Sequence, residues 1–191
     1  MKRCLLLLVL AAGMAQAAPV PLFDGKSLDG WRVEGADYWK VDDGVLVGQS
    51  DAGKKNSILW TKKDFTDFSL EFEFRFSGHI DSGVFLRHQT DQIQIGISGS
   101  LKRDMTGSPY ISKKRGYPVE GKGVKELLKE EEWNRMKIVV RGNKYVVSLN
   151  GSEVMTYESD TAVEKGPLGL QVHPGLVMKI EFRDMVVEEL K

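Results

Sequence analysis

From Phe68 to Phe76 the chain reads Phe, Ser, Leu, Glu, Phe, Glu, Phe, Arg, Phe, with an apolar residue at every second position. Side chains along a β-strand point alternately to opposite faces, so this stretch must lay one face on a core and turn the other to water. That pattern suits an antiparallel sheet, because strands of buried parallel sheets are apolar throughout. A strand of this kind commits the chain to a second layer that covers its apolar face.

Shorter segments extend the theme. Tyr38–Val41 and Val45–Gly48 flank Asp42-Asp43-Gly44 and read as a hairpin. Ser57–Thr61 and Gly83–Arg87 are further strands, and Gln92–Ile97 alternates amides with isoleucines. Arg135–Val140 and Lys144–Leu149 meet at Gly142-Asn143, and the second of them turns through Asn150-Gly151 into Glu153–Tyr157. Asn-Gly predicts a type I′ hairpin, whose two central residues both need positive φ. Met178, Ile180 and Phe182 share one parity while Met185 and Val187 share the other, which predicts a β-bulge at Arg183-Asp184. Helical spacing is confined to Val124–Glu132. The fold class expected is all-β, a sandwich or barrel with one short helix.

The N-terminus carries Lys2 and Arg3, the apolar run Leu5–Ala12, and Ala15-Gln16-Ala17. This order is that of a secretory signal peptide over residues 1–17, and the run is too short to span a bilayer. One domain is then expected over residues 18–191, periplasmic or secreted. Cys4 is the only cysteine and lies in the signal, so packing alone must hold the fold. Lys2 and Arg3 leave with it, so acids slightly outnumber bases. That balance argues against nucleic acid as a partner.

Gly99–Gly123 lacks sustained periodicity. It carries Lys102, Arg103, Lys113, Lys114, Arg115 and Lys122, with Pro109, Tyr110, Ile111 and Tyr117 available to pack. An aperiodic segment this long in a compact domain is expected to be an ordered flap. The histidines His79, His88 and His173 show no zinc-motif spacing, and a G-x-S-x-G elbow is missing. Glu71 and Glu73 are spaced as a carboxylate pair, but they share a phase with Arg75 and read as the outer, solvated face. The polar residues set into apolar strands are more informative. They are Asp81 and Arg87 at the ends of one segment, Gln92 and Gln94 on one face of the next, and Gln171 with His173 at i and i+2. Amide and guanidinium forks match paired sugar hydroxyls. Among Trp31, Trp39, Trp60 and Trp133, most are expected in the core, and one is available to stack on a pyranose ring.

These pieces carry a resemblance. Leu22-Phe23-Asp24-Gly25 through Trp31, Asp81–Arg87, Trp133-Asn134, Leu149-Asn150-Gly151, Leu170–His173 and Glu181–Leu190 occur in the order of the 3-keto-disaccharide hydrolase domain family. The chain resembles that family over nearly all of residues 18–191. The resemblance implies a concanavalin A-like jelly roll of two antiparallel sheets, with sugar bound on the concave face. It also implies cleavage of glycosides already oxidised to a ketone at C3. Where the family usually has a Tyr-Glu-x-Gln-like stretch, this chain reads Asp91-Gln92-Ile93-Gln94.

A C3 ketone acidifies the C2 proton, so a base can remove it and the enolate can expel the C1 substituent, by elimination or on the way to hydrolysis. The base is expected at His173, alternatively at Asp81. Enolate support is expected from Arg87. Gln92, Gln94 and Gln171 would hold hydroxyls, and the flap with Lys102 and Arg103 would close over the substrate. No cofactor is called for, since the oxidation belongs to a separate sugar 3-dehydrogenase, the expected functional partner. The alternative is a non-catalytic carbohydrate-binding module of the same fold.

Overall fold

The computed structural model describes residues 18–191; the signal peptide expected over residues 1–17 lies outside them. In chain order the strands are β1 (Val20–Pro21), β2 (Trp31–Gly35), β3 (Trp39–Asp42), β4 (Val45–Gln49), β5 (Ser57–Phe65), β6 (Phe68–Phe76) and β7 (Asp81–Leu86). Then come β8 (His88–Gly96), β9 (Pro109–Ile111), the helical turn α1 (Val124–Leu127), β10 (Asn134–Arg141), β11 (Lys144–Leu149), β12 (Ser152–Glu158), β13 (Gly166–Val172) and β14 (Lys179–Glu189). One sheet runs β12-β11-β10-β6-β14-β4-β3, with β1 also paired to β14; the other runs β2-β5-β13-β7-β8-β9. Every pairing between these strands is antiparallel.

Phe68–Phe76 forms β6, in the middle of the eight-stranded sheet, as its alternation requires. Leu70, Phe72 and Phe74 are fully buried, in one core with Ile138 and Val140 of β10, Phe182 of β14, and Val84, Leu86, Ile93, Leu168 and Leu170 of the opposite sheet. On the other face of β6, Glu73 pairs with Arg183 at 2.7 Å and Arg135 at 3.3 Å, while Arg75 pairs with Glu181 at 2.9 Å. Burial works to raise the Glu73 carboxyl, but Arg183 and Arg135 outweigh it and hold the group below its ordinary value. Trp133 lies between the Arg75 and Arg183 guanidiniums, 4.7 and 4.1 Å from its ring. Glu71 and Glu73 therefore belong to an ion-pair ladder on the outer face.

The Asn150-Gly151 turn has φ of 48° and 87°, the left-handed pair that a type I′ hairpin needs. The bulge in β14 falls where the parity slips: its register with β6 shifts between Arg183 and Val186, and Asp184 has φ of 50°. The helix is shorter than its spacing suggested, ending at Leu127 with Leu128 already extended. Glu130, Glu131 and Glu132 would have crowded like charges at the C-terminal end of a longer helix, where the macrodipole disfavours anions. The flap is ordered. Ile97 bridges to Asp104, β9 pairs with β8, and Met105 and Ile111 are buried.

Candidate functional site

The outer face of the six-stranded sheet carries two rows of side chains. Strand register sets Trp60 beside Gly169, Gly169 beside Phe85, Phe85 beside Gln92, and Gln92 beside Tyr110. In the next row Ile58 stands beside Gln171, and Gly83 beside Gln94. Two glycines interrupt these rows, and side chains from their neighbours lie across both gaps. A Cβ at Gly169 would come within 2.5 Å of the Trp60 ring, which reaches over it to stack on Phe85 with centroids 5.5 Å apart. At Gly83 a Cβ would come within 2.8 Å of the Gln92 side chain and 2.5 Å of the Ile93 carbonyl oxygen. Gln92 uses that space to donate from Nε2 to Gln171 Oε1 at 2.7 Å, bridging β8 to β13 across β7.

Asp81 opens β7 at the polar end. Its Oδ1 accepts from Gln94 Nε2 and its Oδ2 from the Gly99 N–H, each at 2.8 Å. The Gln94 Oε1 accepts in turn from the Tyr117 hydroxyl at 3.0 Å. This chain runs from the flap to the sheet and fixes the amide orientation of Gln94 from both ends. Burial pushes the Tyr117 phenol up to about 12, so it stays a neutral donor across the physiological range. Gln94, Gln92, Asp81 and Gln171 are all buried although they lie on an outer sheet face: Tyr117 and Gly99 of the flap close on Gln94 and Asp81, and Gln92 and Gln171 bond to each other.

His173 follows directly after β13. Its Nδ1 lies 2.7 Å from the Pro174 carbonyl oxygen, a group that only accepts, so Nδ1 is the donor of this contact and, in the neutral ring, the lone pair is on Nε2. Asp81, Gln92, Gln94, Gln171 and His173 all line one cleft of about 310 Å³, at the lower end of the range for small-ligand sites.

Arg87 lies elsewhere. The β7–β8 register shifts between Phe85 and Leu86, and Arg87 itself is left-handed with φ of 64°. The bulge breaks the parity that Asp81, Gly83 and Phe85 share. The guanidinium is buried at the end of the sandwich instead, over the Phe68 ring, donating from Nη1 to the Val163 carbonyl at 2.7 Å with Asp67 3.6 Å from Nη2. Lys102 is exposed in a turn and Arg103 makes a two-pronged ion pair with Glu120, and neither lines the cleft. A larger cavity of about 410 Å³ beside α1 is where Arg103 and Glu120 sit, already paired with each other. Among the described residues, no group of three or more His, Cys, Asp or Glu side chains is placed to hold a metal ion.

Asn56, Ile58, Phe85, Gln89, Ser98, Gly99, Ser100, Tyr110 and Tyr117 complete the lining; none had been read from the sequence as a site residue, the two tyrosines only as flap residues able to pack. Phe85 had a signal. It shares the parity of Asp81 on a strand whose other face, Val84 and Leu86, already supplies the core. Trp60 likewise belongs to this outer cluster, while Trp31 and Trp39 are in the main core.

A two-sheet antiparallel sandwich with a cleft of amides, one carboxylate and one imidazole on its six-stranded face is a jelly roll of the lectin and glucanase type. Within that class, the model of the 3-keto-alpha-glucoside-1,2-lyase-like domain matches residues 18–188, and the chain belongs to this family. It is 32% identical over 76 residues to a 3-keto-disaccharide hydrolase of Bacteroides thetaiotaomicron; the match covers 35% of this chain and only 26% of that protein. Among solved structures, a candidate glycosyl hydrolase from Parabacteroides distasonis has a TM-score of 0.70 at 18% identity, covering 91% of this chain and 94% of that one. The carbohydrate binding module CBM66 from Bacillus subtilis has a TM-score of 0.60 at 16% identity, covering 84% and 96%. These two likenesses speak for the fold.

Proposed function

We propose that the protein is an exported carbohydrate-active enzyme that cleaves the glycosidic bond of 3-keto-glycosides. The observation that carries this reading is the position of His173, whose Nδ1 is engaged by the Pro174 carbonyl while the ring lines a cleft with sugar-matching amides. Family membership supports the substrate class. Nε2 removes the C2 proton, and the electron pair of that C–H bond forms the enolate with C3. Collapse of the enolate restores the C3 carbonyl, makes a double bond between C1 and C2, and expels the C1 substituent, which recovers a proton from the imidazolium. Addition of water across the new double bond completes a net hydrolysis. With Arg87 remote, the amide of Gln171, two residues before His173 near the end of β13, is the donor best placed to support the enolate oxygen. Asp81, held by two donors, is better suited to anchor hydroxyls than to take a proton. A sugar 3-dehydrogenase is the partner that would supply the substrate.

The test is incubation with 3-keto-trehalose, 3-keto-sucrose or 3-keto-cellobiose. Release of monosaccharide supports the proposal, and an accompanying conjugated-enone absorbance marks the elimination product. The second reading, a non-catalytic binding module, is favoured by one observation: no lysine or arginine lines the cleft. Tight binding of a 3-keto-disaccharide without any cleavage would establish it instead.

A further inference from the structure

Ile58, Trp60 and Phe85 form an apolar cluster outside the main core, on the cleft side of the six-stranded sheet. Their exposures are only 2, 3 and 6%, although no third layer packs over them. What covers them is a set of long polar side chains. The Arg32 guanidinium lies 5.8 Å from the Trp60 ring. Glu34 accepts from the Trp60 indole N–H at 3.1 Å through Oε2 and from the Gln89 amide at 3.0 Å through Oε1. Glu34 is on the edge strand β2 and Gln89 near the start of β8, so this contact clasps the aromatic plate from both sides. Both residues are exposed, and a hydrogen bond between exposed groups has a small net worth that a ligand can replace.

Ile58 and Phe85 also line the cleft that holds Asp81 and His173, so the plate is one end of the same site. The two ends differ in chemistry. At the polar end Asp81, His173 and Tyr117 offer hydrogen bonds. At the other end one Gln92 N–H is taken up by Gln171 Oε1, Arg32 and Glu34 face each other at 3.5 Å, and beyond the amides the surface of Ile58, Trp60 and Phe85 is hydrocarbon. Hydroxyls of a second sugar pressed edge-on against those three side chains would lose hydration that hydrocarbon does not replace. An aromatic ring would gain an offset or edge contact with Phe85 and Trp60.

We propose that this plate is a second subsite, which takes a neutral aromatic leaving group attached to the sugar held at Asp81 and Gln94, and that the Glu34–Gln89 hydrogen bond opens to admit it. This rests on the reading of the cleft as a glycoside site. The experiment is calorimetric binding of methyl and phenyl 3-keto-glucosides, in both anomers, to the His173→Ala protein, with and without a second change. The phenyl compound is expected to bind at least about tenfold tighter than the methyl one, the scale of one buried aromatic contact. Phe85→Leu, or Ile58→Ala if the first unfolds the protein, should remove most of that preference while sparing the methyl compound. Gln89→Ala should tighten phenyl binding alone, and no change there would refute the clasp. Methyl binding with no phenyl advantage, or an advantage that survives loss of the plate residues, would overturn the subsite and leave the glycoside reading standing. Failure of both compounds to bind would overturn both.

Discussion

The Nδ1–H of His173 is engaged by a single contact, the carbonyl of the next residue, Pro174. That sequence neighbour therefore favours the proton position that a general base needs. His173→Ala is expected to lower turnover of a 3-keto-disaccharide by about 100- to 10,000-fold with much less change in affinity, read as a split between kcat and KM. An undiminished rate in a folded variant would pass the base role to Asp81. Tyr117 makes a different demand. Burial raises its phenol to about 12, and Tyr145 is raised too, by burial and by its contact with Asp91. A raised folded-state value means that the folded protein holds these protons where the unfolded chain, near 10, gives them up. The stability they contribute is fully present below pH 10 and is lost as pH climbs through the folded values. The unfolding temperature should stay flat on their account up to about pH 10 and then fall, with tyrosinate absorbance appearing alongside. Tyrosinate absorbance equal to all five tyrosines near pH 10, while the protein is still folded, would contradict the burial of these two rings.

Among the elements, the β11–β12 hairpin shows why a turn can outweigh its length. Asn150 donates from Nδ2 to the carbonyl oxygen of Leu127 and to Asn134 Oδ1, and its own Oδ1 accepts from the Arg135 N–H. The turn thus fastens α1 to the sheet. Gly151→Val should cost about 1–3 kcal/mol through left-handed strain, and Asn150→Gly, which spares the backbone, should still lower the denaturant midpoint because these bonds go. An unchanged midpoint in both variants would refute the account. The Asn-Gly pair, the β14 bulge and the alternation of β6 were legible because each is a local rule, readable within a few residues. Arg87 was misplaced because period-two counting assumes an unbroken strand. Beyond the β7–β8 bulge Arg87 rests against Phe68 and Val163, contacts remote in sequence that no local pattern records. The helix was overread because Val124, Leu127 and Leu128 alone gave it helical spacing, and the run of like charges at Glu130–Glu132 opposes its extension.

At the scale of the whole molecule the two sheets divide the labour. The eight-stranded sheet turns ion-pair ladders outward, and the six-stranded sheet turns outward the amides that the sequence singled out. Gln92 with Gln94, and Gln171 with His173, could be grouped beforehand because i and i+2 spacing puts each pair on one strand face. The flap tyrosines could not, since an aperiodic segment gives no clue to which side of a sheet it crosses. If the proposed export holds, protein recovered from outside the cytoplasm should have a mass corresponding to a start near Ala18, and an intact Met1 in that material would refute it. The gap at Gly169 carries one more implication. The three nearest atoms that a methyl group there would meet all belong to the Trp60 ring, so alanine at this position would leave the strand ladder whole while tilting the aromatic floor out of place. Drift at a single codon can therefore retire the site without unfolding its scaffold. Among chains that share this sandwich, the letter at that position is then expected to sort those able to keep such a floor from those that have abandoned it.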